Sequence, residues 1–217
     1  MSGNNVGEGL IQHKDNTGNQ LFPVFLKLNE LHTVLIGAGN VGLEKLTAIL
    51  NNCNSATITV IGREVLPEVS RLSEHYAGVT IRQKSFEAID LDIADIVVAA
   101  TDDSELNKQI RLAAKARKLL INVADKPELC DFYLGSVVKK GDLKLGISTN
   151  GKSPTVAKRI KEVLNTALPD ELDITLQQLN DLRNNLTGDF AYKVKELNRI
   201  TAMLSTQDKG KEDKPLP

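Results

Sequence analysis

One stretch decides the fold: Thr33-Val34-Leu35-Ile36-Gly37-Ala38-Gly39-Asn40-Val41-Gly42. A short aliphatic run, of the kind that forms a buried strand, passes directly into the pattern Gly-x-Gly-x-x-Gly. Apolar residues at helical spacing then continue the chain, at Val41, Leu43, Leu46, Ala48, Ile49 and Leu50. The sequence therefore predicts a strand, a tight glycine turn and a helix in immediate succession.

Each glycine of this turn has its own physical use. Gly37 allows the tight turn, Gly39 lets the backbone approach a pyrophosphate, and Gly42 lets the helix pack closely on the strand. At the start of the helix, Asn40 and Val41 present backbone N–H groups and the positive end of the helix dipole. These five residues are predicted to bind a dinucleotide. The alternative is that the glycines only form a tight strand-to-helix turn.

Strands and helices alternate in the residues that follow. Runs of β-branched and aliphatic residues predict strands at 56–61, 79–81, 95–100 and 119–123. Helical spacing predicts a helix over 64–74 and another after the capping residues Thr101-Asp102-Asp103-Ser104. This alternation predicts an α/β fold, a Rossmann-type doubly wound parallel sheet over residues 21–127. Residues 1–20, rich in Gly and Asn, are predicted to be a flexible lead.

The pattern changes after Asp125. Two strand-like runs, 132–138 and 142–148, flank Lys139-Lys140-Gly141, which predicts a β-hairpin. A lone hairpin needs a partner to cover it, either the sheet edge or another subunit. Ser153 and Pro154 are typical of a helix N-cap and first helical residue, and apolar stripes predict three helices beyond them. We therefore expect a small β segment at 128–150, a helical C-terminal domain at 151–205 and a disordered tail at 206–217.

Composition and charge narrow the class of protein. The chain has 217 residues, 41% hydrophobic content and a formal net charge of −1, which favours neither nucleic acid nor an anionic membrane as partner. Cys53 and Cys130 lack the spacing of a metal or disulfide motif, and the three histidines are scattered, so no metal site is predicted. Neither a secretory signal nor a membrane-length apolar run is evident, which indicates a cytoplasmic protein.

Five motifs in a fixed order resemble the precorrin-2 dehydrogenase family of siroheme biosynthesis, which includes the N-terminal half of bacterial siroheme synthase. The resemblance covers about residues 21–170. The motifs are Phe22-Pro23-Val24-Phe25-Leu26, Gly37-Ala38-Gly39-Asn40-Val41-Gly42-Leu43-Glu44-Lys45, Ala99-Ala100-Thr101-Asp102-Asp103, Asn122-Val123-Ala124-Asp125 and Ser148-Thr149-Asn150-Gly151-Lys152-Ser153-Pro154.

The resemblance implies a function as well as a fold. It implies NAD-dependent oxidation of precorrin-2 to sirohydrochlorin, a homodimer assembled through the β segment, and helices that help enclose a tetrapyrrole. Some members also insert Fe²⁺ as ferrochelatases. It further implies that Thr101 and Asp102 contact the cofactor and that Asp125 is the key catalytic aspartate. A carboxylate at the end of strand five suits a general base, since open α/β sheets place ligands there. The alternative for Asp125 is a turn or cap residue before Pro127.

The preference between NAD and NADP is open at this point. An acid that bonds the ribose 2′-OH is expected about 20 residues beyond the glycines, at the end of strand two. Arg63 and Glu64 stand there instead. Glu64 is predicted to serve from one residue further on, or Arg63 to accept a 2′-phosphate, so NAD is expected and NADP is not excluded. Arg63 is otherwise a solvated surface residue.

The predicted substrate-binding residues are mostly basic. Lys152, Ser153, Lys158 and Arg159 follow the hairpin at the loop-to-helix junction. Charge-assisted pairs from these residues would hold a polycarboxylate, which suits a tetrapyrrole substrate. The alternative is that they are solvated residues of a helix face.

Two other classes of protein are alternatives to this family. A dehydrogenase with a Tyr-x-x-x-Lys site is disfavoured, because Thr80, Val137 and Glu196 stand four residues after the three tyrosines. A non-catalytic NAD(P)-sensing regulatory module would share the Rossmann half. It would not explain the hairpin, the Asn150–Pro154 loop or the C-terminal helices.

Overall fold

The computed structural model describes residues 18–170 and 172–201. The predicted tail at 206–217, and all but the last three residues of the predicted lead at 1–20, lie outside these residues. The chain divides into two compact units. Of the described residues, one unit contains 18–137 together with Gly146–Lys161, and the other contains Val138–Leu145 with 162–170 and 172–201.

A five-stranded parallel sheet forms the centre of the first unit, and its strand order is β3-β2-β1-β4-β5. The strands are β1 (His32–Ala38), β2 (Thr57–Val65), β3 (Val79–Gln83), β4 (Ile96–Ala99) and β5 (Leu120–Val123). The helices of this unit up to β5 are α1 (Asn40–Asn52), α2 (Pro67–Glu74) and α3 (Ser104–Ala116), with a 3₁₀ turn at Ala88–Ile93. A second 3₁₀ turn, Pro127–Leu129, follows β5. The order reverses at β1, so the predicted doubly wound parallel sheet is confirmed.

The two faces of the sheet carry separate cores. On one face, Leu35 and Val98 pack in a cluster with Leu46 and Leu50 of α1. On the other face, residues of β1, β4 and β5 cluster with Ile110 and Ala114 of α3. Because both faces of β1 and β4 are covered, nearly every residue of these strands is buried, which explains their continuously apolar sequences. Burying each aliphatic side chain stabilises the fold by about 1.5–3 kcal/mol.

The free edge of β5 is closed by the chain that follows it. Asp131 donates its backbone N–H to the carbonyl of Ile121, 2.8 Å away, and its carboxylate accepts the N–H of Ile121 at 3.1 Å. The half-buried thiol of Cys130 contacts Val123 N and O at 3.2 and 3.1 Å, and partial burial raises the pKa of this thiol. An edge that would otherwise be open to pairing with another chain is thereby capped.

The predicted hairpin is present, but its turn lies further along the chain. Strands β6 (Ser136–Lys140) and β7 (Leu143–Ile147) form a two-stranded sheet. Lys139 and Lys140 lie inside β6, so the prediction of a turn at 139–141 is wrong. The turn is Gly141-Asp142, because Gly141 adopts the left-handed conformation with φ +56° that this connection requires.

The C-terminal helices are α4 (Pro154–Ala167), α5 (Leu172–Asn185) and α6 (Phe190–Thr201), as the apolar stripes predicted. Ser153 caps α4, since its Oγ accepts the N–H of Val156 at 3.2 Å. In the second unit, Asp173 in the first turn of α5 accepts the N–H of Asp142 at 2.8 Å, which ties the hairpin turn to α5. Within the part of the chain that the structure describes, no helix is long and apolar enough to cross a membrane.

Candidate cofactor-binding site

A cleft of about 710 Å³ opens in the first unit beside the glycine turn between β1 and α1. We call it the glycine-turn cleft. It lies at the carboxyl ends of the strands, at the point where the strand order reverses, which is where open α/β sheets bind ligands. The residues that line it are Ile36–Val41, Ile61–Glu64, Lys84–Phe86, Ala100–Asp103, Glu105, Leu106 and Gln109.

Two of the three glycines are required by packing. A Cβ on Gly37 would lie 2.3 Å from the carbonyl oxygen of Ala100, and the φ of Gly37 is +106°. A Cβ on Gly42 would lie 2.1 Å from the carbonyl oxygen of Gly37. No side chain fits at either position without moving backbone, so these glycines bring β1, β4 and the first turn of α1 together.

Gly39 differs, because a Cβ there would meet no atom within 4 Å. The residue borders the cleft with its backbone bare, and helix α1 begins directly after it at Asn40. Among the residues that the structure describes, no side chain caps this helix, and its first turn has no acidic residue, so the N–H groups and the dipole are left for an anion. The open space above Gly39 and the uncapped helix fit the pyrophosphate of a dinucleotide.

The structure brings Arg63 and Glu64 to the same cleft, but not by the predicted local structure. The prediction that strand two ends at Ile61 and that a helix starts at Glu64 is wrong, since β2 runs to Val65 and α2 begins at Pro67. Ile36 pairs with Ile61 and Ala38 with Val65, so Gly37 alone stands opposite three residues of β2. This bulge carries the exposed side chains of Arg63 and Glu64 to the cleft wall.

Thr101 and Asp102 also line the cleft, after the end of β4. The hydroxyl of Thr101 donates to Oδ1 of the buried Asn107 at 2.8 Å, and Asn107 donates back to the carbonyl of Thr101 at 3.0 Å. Asp103 caps α3 by accepting the N–H groups of Glu105 and Leu106, each at 3.0 Å. The predicted capping chemistry is confirmed, and it holds this wall of the cleft in place.

Among the cleft residues that were not predicted to bind the cofactor are three of α3 and three that follow β3. Glu105, Leu106 and Gln109 share one face of α3, and their helical spacing was a signal that could have found them. Lys84, Ser85 and Phe86 follow β3, and no local signal marks them. They reach the cleft only because β3 pairs with β2 in the sheet.

Asp125 lies directly after β5, at the carboxyl edge of the sheet as predicted, with an exposed side chain. Its φ of +57° is left-handed, a conformation that Asp and Asn tolerate. The turn around it is closed by Lys126 N–H donating to the carbonyl of Val123 at 3.3 Å. Asp125 is not among the residues that line the glycine-turn cleft, so its catalytic role stays a prediction.

An ion pair holds the C-terminal end of the loop that carries Asp125. Arg111 of α3 forms a bidentate ion pair with Asp131, with one N–O distance of 2.7 Å. These hydrogen bonds lower the pKa of Asp131. The ion pair therefore fixes the segment that follows the Asp125 turn against α3.

The predicted substrate residues lie elsewhere on the surface. Lys152, Lys158 and Arg159 are exposed around the start of α4, and none of them lines the glycine-turn cleft. Ser153 has a structural task besides its N-cap, since it exchanges hydrogen bonds with Thr149 at 3.1 and 3.2 Å. Over residues 18–170 and 172–201, no group of three or more His, Cys, Asp or Glu residues has the arrangement of a metal site.

Comparison with known proteins decides the family. Residues 24–136 match a family model described as putative NAD(P)-binding. The chain belongs to this family. A second model, described as sirohaem biosynthesis protein central, matches residues 140–165. Together the two models cover four of the five motifs completely and the first from Val24 onward, so the predicted resemblance and the predicted class of cofactor are confirmed.

Individual relatives give the same result. A siroheme synthase of Pseudoalteromonas atlantica is 32% identical over 171 residues, which are 79% of this chain and 36% of that protein. A siroheme synthase of Methylococcus capsulatus is 30% identical over 76% of this chain and 34% of its own length. The chain thus spans about a third of the curated relatives it matches.

One solved structure matches nearly end to end. The protein described as SirC, precorrin-2 dehydrogenase, has 26% sequence identity and a TM-score of 0.68 with this chain. The similarity covers 85% of this chain and 93% of SirC. A match of this extent is longer than the segment that forms the five-stranded sheet, which ends at Val123.

Proposed function

We propose that this protein is a precorrin-2 dehydrogenase, which oxidises precorrin-2 to sirohydrochlorin with NAD. The observation that carries the proposal is the similarity to SirC over 93% of its length, in a chain whose glycine-turn cleft fits a dinucleotide. The similarity extends beyond the sheet, into the parts that an NAD(P)-sensing module does not need. A catalytic role is therefore favoured over a regulatory one.

The roles of the chain follow from the cleft. Gly39 and the N-terminus of α1 would hold the pyrophosphate, with Gly37 and Gly42 shaping the turn, and the end of β2 would hold the adenosine ribose. When bound, NAD supplies the hydride acceptor that the protein itself lacks. The β4 and β5 side of the sheet then remains for the reacting end of the cofactor and for substrate.

Asp125 lies on that side and would take the proton. Oxidation of precorrin-2 removes a hydride and a proton, and the proton needs an acceptor. An exposed carboxylate directly after β5, held in a left-handed turn, can accept it as a general base. Lys152, Lys158 and Arg159 would pair with carboxylates of the tetrapyrrole, and Ser153 positions the start of α4.

We further infer that two copies assemble through the β segment. A two-stranded sheet is marginal in water without a covering partner. Tyr133 and Leu134, just before β6, expose 40% and 38% of their surface, and Val156 and Ile160 of α4 are also exposed. These apolar side chains support a two-fold interface that includes the hairpin.

The test is direct. Purified protein is mixed with precorrin-2 and NAD without oxygen, and the absorbance of sirohydrochlorin is followed together with NADH formation. Equimolar sirohydrochlorin and NADH are expected. Binding of NAD without any turnover would contradict the proposal and favour the sensing module. Adding Fe²⁺ and sirohydrochlorin in a separate reaction tests the iron insertion that the family resemblance implies.

A further inference from the structure

The β3 side of the glycine-turn cleft carries a lysine whose ammonium group already forms ion pairs with two carboxylates. Lys84 follows β3 directly, and its N–H donates to the carbonyl of Gly62 at 3.0 Å. This bond places Lys84 beside Arg63 across the β2–β3 pair. Its ammonium lies 2.5 Å from Oε2 of Glu87 and 3.0 Å from Oδ1 of Asp90, and these hydrogen bonds raise the pKa of Lys84.

The Asp90 carboxylate is fixed in position. Asp90 is only 4% exposed, and its second oxygen accepts the N–H of Glu87 at 2.8 Å. That bond is half of a capping box that begins the 3₁₀ turn at Ala88–Ile93. The next residue, Leu91, is buried in the core between the sheet and α3. A buried carboxylate requires a counter-charge, so Asp90 and Lys84 hold each other in place.

The position of Lys84 matters because of what lies there in dinucleotide-binding folds. The side chain at the end of strand two meets the ribose 2′-hydroxyl of NAD, and an arginine nearby accommodates the 2′-phosphate of NADP. Here Arg63 lies in the bulge near the end of β2, and Lys84 is the first residue after the neighbouring strand β3. Two cations so placed would form a phosphate clamp if both were available.

We propose that Asp90, together with Glu87, determines the specificity for NAD by holding the Lys84 ammonium away from a 2′-phosphate. Asp90 is thus a positioning residue that acts through Lys84. The inference rests on the proposed function, because it requires that the cleft bind a nicotinamide dinucleotide. With Lys84 engaged, the clamp is reduced to Arg63, which lies next to Glu64. A 2′-phosphate, with about two negative charges, then gains little and faces the carboxylate of Glu64, which lines the cleft.

The test compares the affinities of the full chain for NAD and NADP by calorimetry. Wild type should bind NAD more tightly. Asp90→Asn keeps the size of the side chain and an oxygen for the Glu87 N–H, but it removes the counter-charge. The ratio of the two dissociation constants, NADP over NAD, should fall about tenfold, as expected for one new charge-assisted hydrogen bond to the phosphate. Glu87→Gln should shift the ratio in the same direction and does not disturb a buried group.

Two controls identify the cause. Glu68→Gln removes one negative charge from an exposed ion pair with Arg71 on α2, outside the cleft, and should leave the ratio unchanged. Lys84→Gln, added to Asp90→Asn, should restore the wild-type ratio, which a general loss of stability or charge would not do.

An unchanged ratio in both Asp90→Asn and Glu87→Gln would overturn the inference while leaving the proposed function intact. A wild-type preference for NADP would overturn it as well. If wild type bound neither dinucleotide, the proposed function would fail first and this inference with it.

Discussion

The glycine turn makes the sharpest prediction, because its three glycines face different surroundings. Gly39→Val adds a branched side chain where the structure has no atom within 4 Å of the new Cβ. The backbone there has φ −85° and ψ −163°, a conformation that valine adopts readily. The fold should therefore survive. Valine is a poorer N-cap than glycine, and the cost is about 1 kcal/mol, which lowers Tm by about 2–4 °C in a chain of this size.

Cofactor binding should suffer far more. The added methyl groups occupy the space in which a pyrophosphate would accept hydrogen bonds from the start of α1. A charge-assisted hydrogen bond contributes about 1.5–3 kcal/mol, so losing one raises the dissociation constant for NAD about 10- to 150-fold, and losing two raises it further. Calorimetry gives the constant, and a thermal melt of the same sample gives Tm.

The matched comparison is Gly42→Ala, whose main expected defect is a loss of stability rather than a side chain in the pyrophosphate space. Its Cβ would lie 2.1 Å from the carbonyl oxygen of Gly37, so the first turn of α1 and this carbonyl must separate by about 1.3 Å or more to restore ordinary contact. Such overpacking costs about 1–3 kcal/mol, and Tm should fall accordingly. A Gly39→Val protein that binds NAD within about twofold of wild type would refute the assignment of this turn to the pyrophosphate.

Three further predictions address catalysis, assembly and stability. Asp125→Asn should fold normally, because Asn also tolerates φ near +57°. Its rate of sirohydrochlorin formation at saturating NAD should fall about 10²–10⁴-fold. A folded variant that keeps more than about a tenth of the wild-type rate would show that Asp125 is not catalytic. Light scattering should give the mass of a dimer for wild type and a lower mass for Leu134→Glu at micromolar concentration, whereas a well-folded wild-type monomer would contradict the interface. Arg111 lowers the pKa of Asp131 in the folded state, so the stability from this pair is present above the unfolded aspartate pKa of about 3.9 and is lost as pH falls through the lower folded value. The difference in unfolding free energy between wild type and Asp131→Asn, measured by urea denaturation, should therefore shrink as pH is lowered below about 4, and a constant difference would show that the ion pair does not stabilise the fold.

Local physics explains what could be predicted from the sequence alone. The strand, glycine turn and helix of residues 33–50 were predictable because apolar periodicity and glycine conformation act within a few residues of each other. The same holds for the Asp103 cap of α3 and for Ser153 and Pro154 at the start of α4. The alternation of such elements was enough for the parallel sheet, and the five motifs were enough for the family.

Only the tertiary structure decided which distant residues share the glycine-turn cleft. Arg63 and Glu64 reach it through a bulge in β2, and the bulge depends on the register between β1 and β2. Lys84 and Phe86 reach it because β3 pairs with β2, and Asp90 reaches Lys84 because the 3₁₀ turn packs under β1 and α3. Strand order and register are set by burying both faces of the sheet at once, a condition on the whole chain that no short stretch of sequence contains.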